Sequence, residues 1–131
     1  MRLLRIRDTG IAAMVSRGVL RFNGVRISPS RVTSLPHYGI FASGQLAGWV
    51  GIELRRRGIY ELCHLSVLPR YRRHGLAASA CKRAIALVRR RGGRYIYARV
   101  KRGNHPAIRL MRKLGFQPAK GGRVIYLGRS L

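Results

Sequence analysis

The fold of this chain is decided by the stretch LCHLSVLPRYRRHGLAASA, which runs from Leu62 to Ala80. A short apolar run ends at Pro69, a basic turn that contains Gly75 follows, and an Ala-rich helical segment begins directly after the turn. A glycine turn between a strand and a helix presents free backbone N–H groups and the positive end of the helix dipole. The stretch therefore predicts an anion-binding turn at the start of a helix.

The composition indicates which partners the chain should seek. Its 131 residues are enough for a core, and we expect a single domain over residues 1–131. There are 28 Lys and Arg residues against three acids (Asp8, Glu53 and Glu61), a formal net charge of +25. Such a chain repels itself and should seek a polyanion, namely RNA, DNA, a nucleoprotein, an acidic protein surface or an anionic membrane surface. Arginines outnumber lysines 24 to 4, which favours forked phosphate contacts.

Several classes of protein are not expected. The chain has no apolar run of about 18 residues, so no membrane span is predicted, and its N-terminus lacks a signal-peptide core. Cys63 and Cys81 lie in apolar periodic segments, which favours two reduced thiols in a cytoplasmic protein over a disulfide. No His/Cys spacing suggests a metal site.

The hydrophobic pattern predicts the element order β-α-β-β-β-α-β-α-β. Strands are predicted over 2–7, 37–43, 46–54, 59–68, 95–100 and 124–127, and helices over 10–22, 76–91 and 104–114. The first strand could instead be a charged lead-in. Residues 24–36 contain two prolines and are predicted to be a loop.

Two sequence blocks carry the chemistry. The turn Arg72-Arg73-His74-Gly75-Leu76-Ala77 fits the pattern Arg/Gln-x-x-Gly-x-Gly/Ala, between a predicted strand and a predicted helix. Downstream, the block from Asn104 to Phe116 fits Asn-x-x-Ala-Ile-x-Leu-x-x-x-Leu-Gly-Phe. With both blocks in this order, residues 37–127 resemble the GNAT superfamily of acetyl-CoA-dependent N-acetyltransferases. The resemblance implies an α/β fold with a mixed, mostly antiparallel sheet flanked by helices, and acetyl-CoA as cofactor.

The resemblance also implies which residues bind the cofactor. The backbone N–H groups of Arg73, His74, Gly75, Leu76 and Ala77 would cradle the coenzyme A pyrophosphate, with Arg72 as the family's basic position. Leu65, Ser66 and Val67 would offer main-chain pairing to the pantetheine arm. The acyl group would lie in a gap between this strand and the strand over 95–100. Asn104 matches a polar cofactor contact, although a helix cap explains it equally well, and both roles are compatible.

The candidate catalytic residues are Glu61 and His64. Glu61 is the leading base candidate, because the histone-acetyltransferase branch resembles this chain in carrying a glutamate on this strand. Its alternative role is to neutralise nearby arginines. His64 could be the base instead, or a packed core histidine. Three residues separate the two, so strand alternation predicts that they point to opposite faces.

Two departures from the family pattern leave the function open. Met111 stands where many members carry a tyrosine that protonates the departing thiolate, and methionine cannot donate a proton; Tyr97 or Tyr126 could substitute, or the thiolate could leave unaided. Only one helix is predicted between the first two strands, so we expect a shortened, open acceptor region suited to a protein terminus or a lysine on a large assembly.

Two hypotheses follow. The first is an acetyltransferase acting on an amine of a protein or nucleoprotein. The second is a basic structural or accessory protein that is bound to nucleic acid in a ribonucleoprotein or virion, with weak or no catalysis.

Overall fold

The computed structural model describes residues 1–131, which form one seven-stranded sheet and four α-helices. The strands are β1 (Arg2–Arg5), β2 (His37–Ala42), β3 (Gln45–Arg56), β4 (Ile59–Val67), β5 (Tyr95–Lys101), β6 (Gln117–Lys120) and β7 (Val124–Ser130). The helices are α1 (Thr9–Gly18), α2 (Pro29–Ser34), α3 (Leu76–Arg90) and α4 (His105–Lys113). A π-helical turn, Val19–Asn23, extends α1, and a 3-10 turn, Pro69–Tyr71, follows β4.

The sheet has the order β1-β2-β3-β4-β5-β7-β6, and every neighbouring pair is antiparallel except β4 and β5. That parallel pair is short, because it extends only from Ile59 opposite Tyr95 to Glu61 opposite Tyr97. Beyond Glu61, β4 continues along β3 as far as Val67 without a partner on its β5 side. The predicted mixed, mostly antiparallel sheet is confirmed, and the two parallel strands separate within it.

The larger core lies between one face of the sheet and the helices α3 and α4. Alternate residues of the central strands, among them Ile52, Leu62 and Ile96, are buried on this face. The helical stripe predicted for α3 is confirmed at three positions, since Ala80, Ala84 and Val88 are all buried. An apolar residue about every turn places one side of the helix on the sheet and leaves its cations outside.

A smaller core covers the opposite face. Here α1, its π-helical extension and α2 pack around the indole of Trp49 on β3. Val15, Val19 and Val32 are completely buried in this cluster. Because strand residues alternate, every second residue of β3 counted from Trp49 also faces these helices, and so do the β4 residues opposite them. We call this side of the sheet the α1/α2 face.

The prediction of a loop over 24–36 is wrong at Pro29–Ser34, which form α2. Ser28 caps this helix by accepting a hydrogen bond from the Arg31 N–H at 3.2 Å, and Pro29 stands at a first-turn position that proline tolerates. Val32 is its only buried residue, so a six-residue helix leaves no periodic pattern in the sequence. Two helices, α1 and α2, therefore lie between β1 and β2, where one was predicted.

The C-terminal end is a hairpin, where a single strand over 124–127 was predicted. All four residues of the missed strand β6 are exposed and one of them is Pro118, so the strand shows no apolar alternation. It becomes a strand by pairing with β7, with Gln117 opposite Gly128. β7 itself continues to Ser130, well beyond the predicted end.

Both cysteines are free thiols, as predicted. None of the helices has the length and apolar character that a membrane crossing requires.

Candidate active site

The turn before α3 has the conformation that an anion site requires. Gly75 is the N-cap of α3 with a left-handed φ of 72°, and no side chain caps the helix. The first-turn N–H groups of α3 therefore have no partner within the helix or from a cap. A Cβ built on Gly75 would have nothing within 4 Å, so the space in front of the turn is open. Arg73, His74 and Gly75 are exposed there.

Arg72 braces this turn against β4. Its Nε donates a hydrogen bond to the carbonyl oxygen of Val67 at 2.8 Å, and its guanidinium lies 5.7 Å from the centre of the Phe22 ring. The guanidinium thus makes two contacts within the protein, while the side chain as a whole stays exposed beside the turn. Its predicted contact with the cofactor stays a prediction.

A cavity of about 380 Å³ occupies the gap between β4 and β5. Phe22 and His64 line it on the α1/α2 face, while Ala107 and Met111 of α4 line it on the other side. The cavity therefore passes through the sheet at the point where the two parallel strands separate. β4 leads through the 3-10 turn into the turn before α3, so the cavity and that turn are connected by one short segment.

A β-bulge in β4 shapes this cavity. Gly51 pairs with Cys63, but two residues earlier on β3, Trp49 pairs with Ser66, so β4 carries one extra residue. The bulge is at His64, whose φ of 52° is left-handed. It interrupts the alternation and turns His64 toward His37 on the α1/α2 face, where Glu61 also lies. The prediction that Glu61 and His64 point to opposite faces is therefore wrong.

The strand after the bulge has no β5 partner, which leaves main-chain groups of Leu65, Ser66 and Val67 available along the gap. Part of this edge is already used, since the Val67 carbonyl oxygen accepts the hydrogen bond from Arg72 Nε. The Leu65 carbonyl accepts a hydrogen bond from Asn23 Nδ2 at 3.2 Å, and Asn23 Oδ1 accepts one from Trp49 Nε1 at 3.3 Å. No local sequence pattern indicates this role of Asn23, because its partners lie 26 and 42 residues away.

Glu61 is a buried carboxylate held by two arginines. Arg55 Nε donates to Oε1 and Arg99 Nε donates to Oε2, both at 2.9 Å, and the Tyr97 hydroxyl lies 3.4 Å from Oε1. The hydrogen bond to Glu61 raises the pKa of Arg99. The structure thus places Glu61 in the neutralising role that was its alternative interpretation. Both of its oxygens are engaged, which weighs against a second task as a base.

His64 belongs to a histidine pair. Its Nδ1 lies 3.0 Å from His37 Nε2, and the two rings stack with centroids 5.2 Å apart. His37 Nδ1 lies 3.2 Å from the Leu35 carbonyl oxygen. Burial lowers the pKa of His37 to about 4 and also lowers the pKa of His64, so both rings are neutral at neutral pH. The network then assigns each Nδ1 as the donor, which leaves a lone pair on His64 Nε2.

Asn104 caps α4 and also lines the cavity. Its Oδ1 accepts a hydrogen bond from the Ala107 N–H at 3.3 Å, which realises the helix-cap role. The amide N–H₂ of the same side chain makes no hydrogen bond to the protein. A cofactor contact through that group stays a prediction.

The environment of Met111 provides no replacement tyrosine at the cavity. Met111 is 2% exposed and packs in the larger core while lining the cavity. Tyr97 and Tyr126 stack on each other with centroids 6.2 Å apart, and neither lines the cavity. Desolvation raises the pKa of Tyr97. The cationic side chains that do line the cavity are Arg99 and Lys101.

The sequence profile of the Acetyltransferase (GNAT) family matches residues 22–116, most of the chain. This chain belongs to the GNAT acetyltransferase family. It is 30% identical over 83 residues to a putative alanine N-acetyltransferase of ribosomal protein bS18 from Bacillus subtilis (strain 168). That match covers 63% of the GNAT chain and 54% of the relative, so the chain spans about half the length of this curated relative.

Solved GNAT structures confirm the fold. The ribosomal-protein-S18-alanine N-acetyltransferase of Escherichia coli superposes with a TM-score of 0.80 at 20% identity, covering 98% of this chain and 92% of that one. The ribosomal-protein-alanine N-acetyltransferase of Brucella melitensis gives 0.79 at 17% identity, covering all of both chains. The yncA protein of Salmonella typhimurium, solved with its cofactor acetyl-CoA, gives 0.78 at 19% identity over 100% of this chain and 95% of that one.

Acetyl-CoA is the cofactor of this GNAT protein, in agreement with the prediction from the sequence. The residues of the turn before α3 and of the cavity fit this cofactor. The uncapped N-terminus of α3 and the open space at Gly75 suit a diphosphate, and the unpaired edge of β4 beside the cavity suits an extended, amide-containing arm. When bound, acetyl-CoA supplies an acyl thioester.

Proposed function

We propose that this GNAT protein transfers the acetyl group of acetyl-CoA to an amine of a protein. The observation that carries the proposal is the cavity through the sheet between β4 and β5, beside the open turn before α3. Side chains from both faces of the sheet line this cavity, so cofactor and amine can approach each other from opposite sides.

The turn residues Arg73 to Ala77 bind the diphosphate through backbone N–H groups, with Arg72 alongside. The edge of β4 from Leu65 to Val67 pairs with the arm, and the free amide of Asn104 donates to it. Uncapped helix N–H groups and left-handed backbone at Arg73 and Gly75 support this assignment.

His64 is the residue that we propose as the base. A base must reach the amine, and His64 lines the cavity with a lone pair on Nε2 that no protein group occupies. His37 is then a positioning residue, because it accepts from His64 Nδ1 and holds the ring in that tautomer. Glu61, with both oxygens engaged by guanidinium groups, holds β4 against β3 and β5 and is not the base in this proposal.

The departing thiolate does not need a tyrosine in this proposal. Lys101 lines the cavity and forms no salt bridge, so its positive charge stabilises an anion formed there. A thiolate is a weaker base than an alkoxide, so electrostatic stabilisation is sufficient where Met111 offers no proton.

The acceptor that we would test first is the N-terminal amine of a ribosomal protein. The Bacillus subtilis relative is named for that reaction, with bS18 as its protein and alanine as its residue. The exterior of this chain supports a substrate on an anionic assembly. Only Arg55 and Arg99 form salt bridges, so the other cations are available to a polyanion.

The cofactor assignment is tested by measuring acetyl-CoA binding by calorimetry in two matched glycine variants. Gly75→Glu places a carboxylate in the anion site and should weaken binding at least about tenfold by charge repulsion and blocked approach. Gly92→Glu is the control, because Gly92 has the same left-handed φ, lies at the other end of α3 and also has open space around it. Equal affinity of the two variants would refute the assignment.

The base is tested by comparing turnover of His64→Gln and Glu61→Gln with a peptide that carries the N-terminal sequence of a ribosomal protein. His64→Gln should lower kcat by about 10²–10⁴. Glu61→Gln should retain more activity, provided that circular dichroism shows it folded. The reverse order of activities would return the base to Glu61.

The second candidate function, an accessory protein bound to nucleic acid, is favoured by the charge of +25 alone. Its prediction differs in one respect. RNA would bind with a steep salt dependence while no amine is acetylated at any acetyl-CoA concentration. Turnover on any protein amine would reject this candidate as the full description of the protein.

A further inference from the structure

His37, Cys63 and His64 bring three metal-ligating atoms together on the α1/α2 face, beside the cavity. One donor atom from each side chain lies within 4.8 Å of the other two. The three residues come from β2 and β4, and β3 separates these strands. We infer that these three side chains form a binding site for a divalent transition-metal ion of the zinc type.

A missing side chain on β3 makes the site possible. Gly51 pairs with His37 on one side and with Cys63 on the other, so it lies between the two ligands. A Cβ built on Gly51 would lie 2.9 Å from Cys63 Sγ and 2.9 Å from His37 Nε2. Glycine therefore keeps open a space where the donor atoms of two different strands meet.

The third ligand, His64, is brought to the site by a strained backbone conformation. His64 has a φ of 52°, a conformation that side-chain-bearing residues adopt at a cost of order 1–3 kcal/mol. In a regular strand His64 would point away from Cys63. The bulge instead places its Nδ1 at 3.0 Å from His37 Nε2.

The first ligand is already oriented as zinc-bound histidines are. His37 is completely buried, and its Nδ1 donates to the Leu35 carbonyl oxygen at 3.2 Å. A hydrogen bond from one ring nitrogen to a backbone carbonyl fixes the tautomer and directs the lone pair of the other nitrogen toward the metal. That lone pair, on Nε2, faces His64.

The two ring nitrogens are already close to the spacing that zinc requires. Zn–N bonds of about 2.0–2.1 Å in a tetrahedral site put two nitrogens about 3.4 Å apart, and a Zn–S bond of about 2.3 Å puts the sulfur about 3.6 Å from each nitrogen. The present 3.0 Å separation is a hydrogen bond between the rings, and the Cys63 sulfur lies within 4.8 Å of the donor nitrogens. Coordination therefore requires the rings to separate by a few tenths of an ångström and the sulfur to stand at about 3.6 Å from both nitrogens. Coordination releases the Cys63 thiol proton to solvent and moves the His64 Nδ1 proton to Nε2. The metal therefore adds a net charge of +1 to the site.

The donor set indicates the class of metal. Two imidazoles and one thiolate are ligands for zinc and similar borderline ions, and they are a poor set for magnesium or calcium. Three protein ligands leave a fourth position for water or another ligand, and two of the three, Cys63 and His64, line the cavity. Occupancy takes the histidine that we propose as base, so the metal would inhibit acetyl transfer. This consequence rests on the proposed function, whereas the binding itself does not.

The test is a titration of the full chain with Co²⁺, followed by absorption spectroscopy and by competition with Zn²⁺. Coordination by Cys63 predicts a thiolate-to-cobalt charge-transfer band that saturates at one equivalent and is bleached by Zn²⁺. The band should be absent in Cys63→Ser and retained in Cys81→Ser, because Cys81 lies in the core of the opposite face. His64→Ala should weaken Co²⁺ binding at least about tenfold, and the exposed His105→Ala should leave it unchanged.

The outcomes that overturn the site are equally definite. They are a wild-type spectrum without the band, a band that survives Cys63→Ser, or a band lost equally in Cys81→Ser. Circular dichroism establishes that each variant is folded. If Cys63→Ser unfolds, the comparison of His64→Ala with His105→Ala decides the question. Acetyl transfer is not a readout in this experiment, so failure of the proposed function leaves the result intact.

Discussion

Glu61 shows at the scale of one residue how tertiary contacts bear on the role of a candidate base. It lies beside the cavity, as expected of a residue on the strand that leads to the turn. Its side chain is 3% exposed, and Arg55 and Arg99 occupy its two oxygens. The pairing with Arg99 spans 38 residues and follows from the register of β4 with β5, which no local pattern contains.

Glu61→Gln should lower the free energy of unfolding by about 1–3 kcal/mol, because it removes the shared counter-ion of two guanidinium groups. We expect less than a fully buried pair would cost, since the side chains of Arg55 and Arg99 are 36% and 48% exposed. Urea denaturation measures the change. The control is Glu53→Gln, which loses one contact of 3.2 Å with Arg55 and should cost under about 1 kcal/mol. Equal costs would contradict the central position of Glu61.

Cys81 should be unreactive until the protein unfolds. Burial raises the pKa of its thiol to about 12, so roughly 10⁻⁴ of it is thiolate at pH 8. In a Cys63→Ser background, alkylation of Cys81 should occur only at the rate of unfolding and become fast in denaturant. The raised pKa of Cys81 also makes the free energy of unfolding depend on pH. The stabilisation from burying the neutral thiol is complete below about pH 9. It is lost as the pH rises toward 12, because the thiol of the unfolded chain ionises first. Rapid alkylation of the folded chain would contradict the burial of Cys81.

At the scale of elements, the important feature is the β4 strand with its bulge. β4 pairs with β3 along its length, yet it leaves β5 after Glu61. This departure creates the cavity, and the bulge at His64 orients the side chains around it. The sequence indicated both strands correctly, but the separation between them depends on how α1, the π-helical turn and α4 pack against the sheet.

Gly48→Ala should destabilise the protein by about 1–3 kcal/mol or more, because the β3 and β4 backbones approach closely there. A Cβ on Gly48 would overlap the Ser66 carbonyl oxygen and lie 3.0 Å from Val67 Cα. Moving β4 aside would also displace the edge proposed to bind the cofactor arm. Thermal denaturation and acetyl-CoA binding measure the two effects. Gly122→Ala is the control, since a Cβ there meets nothing within 4 Å. A Gly48 variant as stable as this control would refute the close approach.

At the scale of the whole molecule, charge is the dominant property. The three acids are all used internally, since Asp8 caps α1 while Glu53 and Glu61 form salt bridges. The cations are mostly exposed, and α3 presents several of them on the side away from the sheet. This distribution is what the proposed substrate on an anionic assembly would require of the surface.

RNA binding should depend steeply on salt, and α3 should carry part of that dependence. We predict that replacing Lys82, Arg83, Arg89 and Arg90 by Gln makes the slope of log K against log salt less negative by up to about 3–4, since each phosphate contact contributes about 0.7–0.9. The control replaces Arg2, Arg7, Arg17 and Arg26, which are equally exposed but lie in the N-terminal region. Fluorescence anisotropy with a defined RNA oligonucleotide measures both slopes. An equal change in the two variants would show that α3 is not a preferred contact.

Local chemistry explains what could be predicted from the sequence. The turn before α3, the apolar stripe of that helix and the cap at Asn104 each depend on residues within a few positions of one another, because hydrogen bonds at helix ends and helical periodicity are short-range. The paired blocks around Gly75 and Asn104 were therefore sufficient to indicate the family and its cofactor. Short or exposed elements such as α2 and β6 bury too little apolar surface to leave a pattern.

By itself, the sequence determined the glycine turn before α3, the family and the excess of positive charge. Only the tertiary structure decided which side chains meet at the cavity. His37 and His64 are 27 residues apart, and Glu61 and Arg99 are 38 apart, so their contacts depend on sheet register, on the bulge that breaks alternation and on the glycine between His37 and Cys63. Register is set by the cooperative packing of both faces of the sheet. No single segment of the chain contains that information.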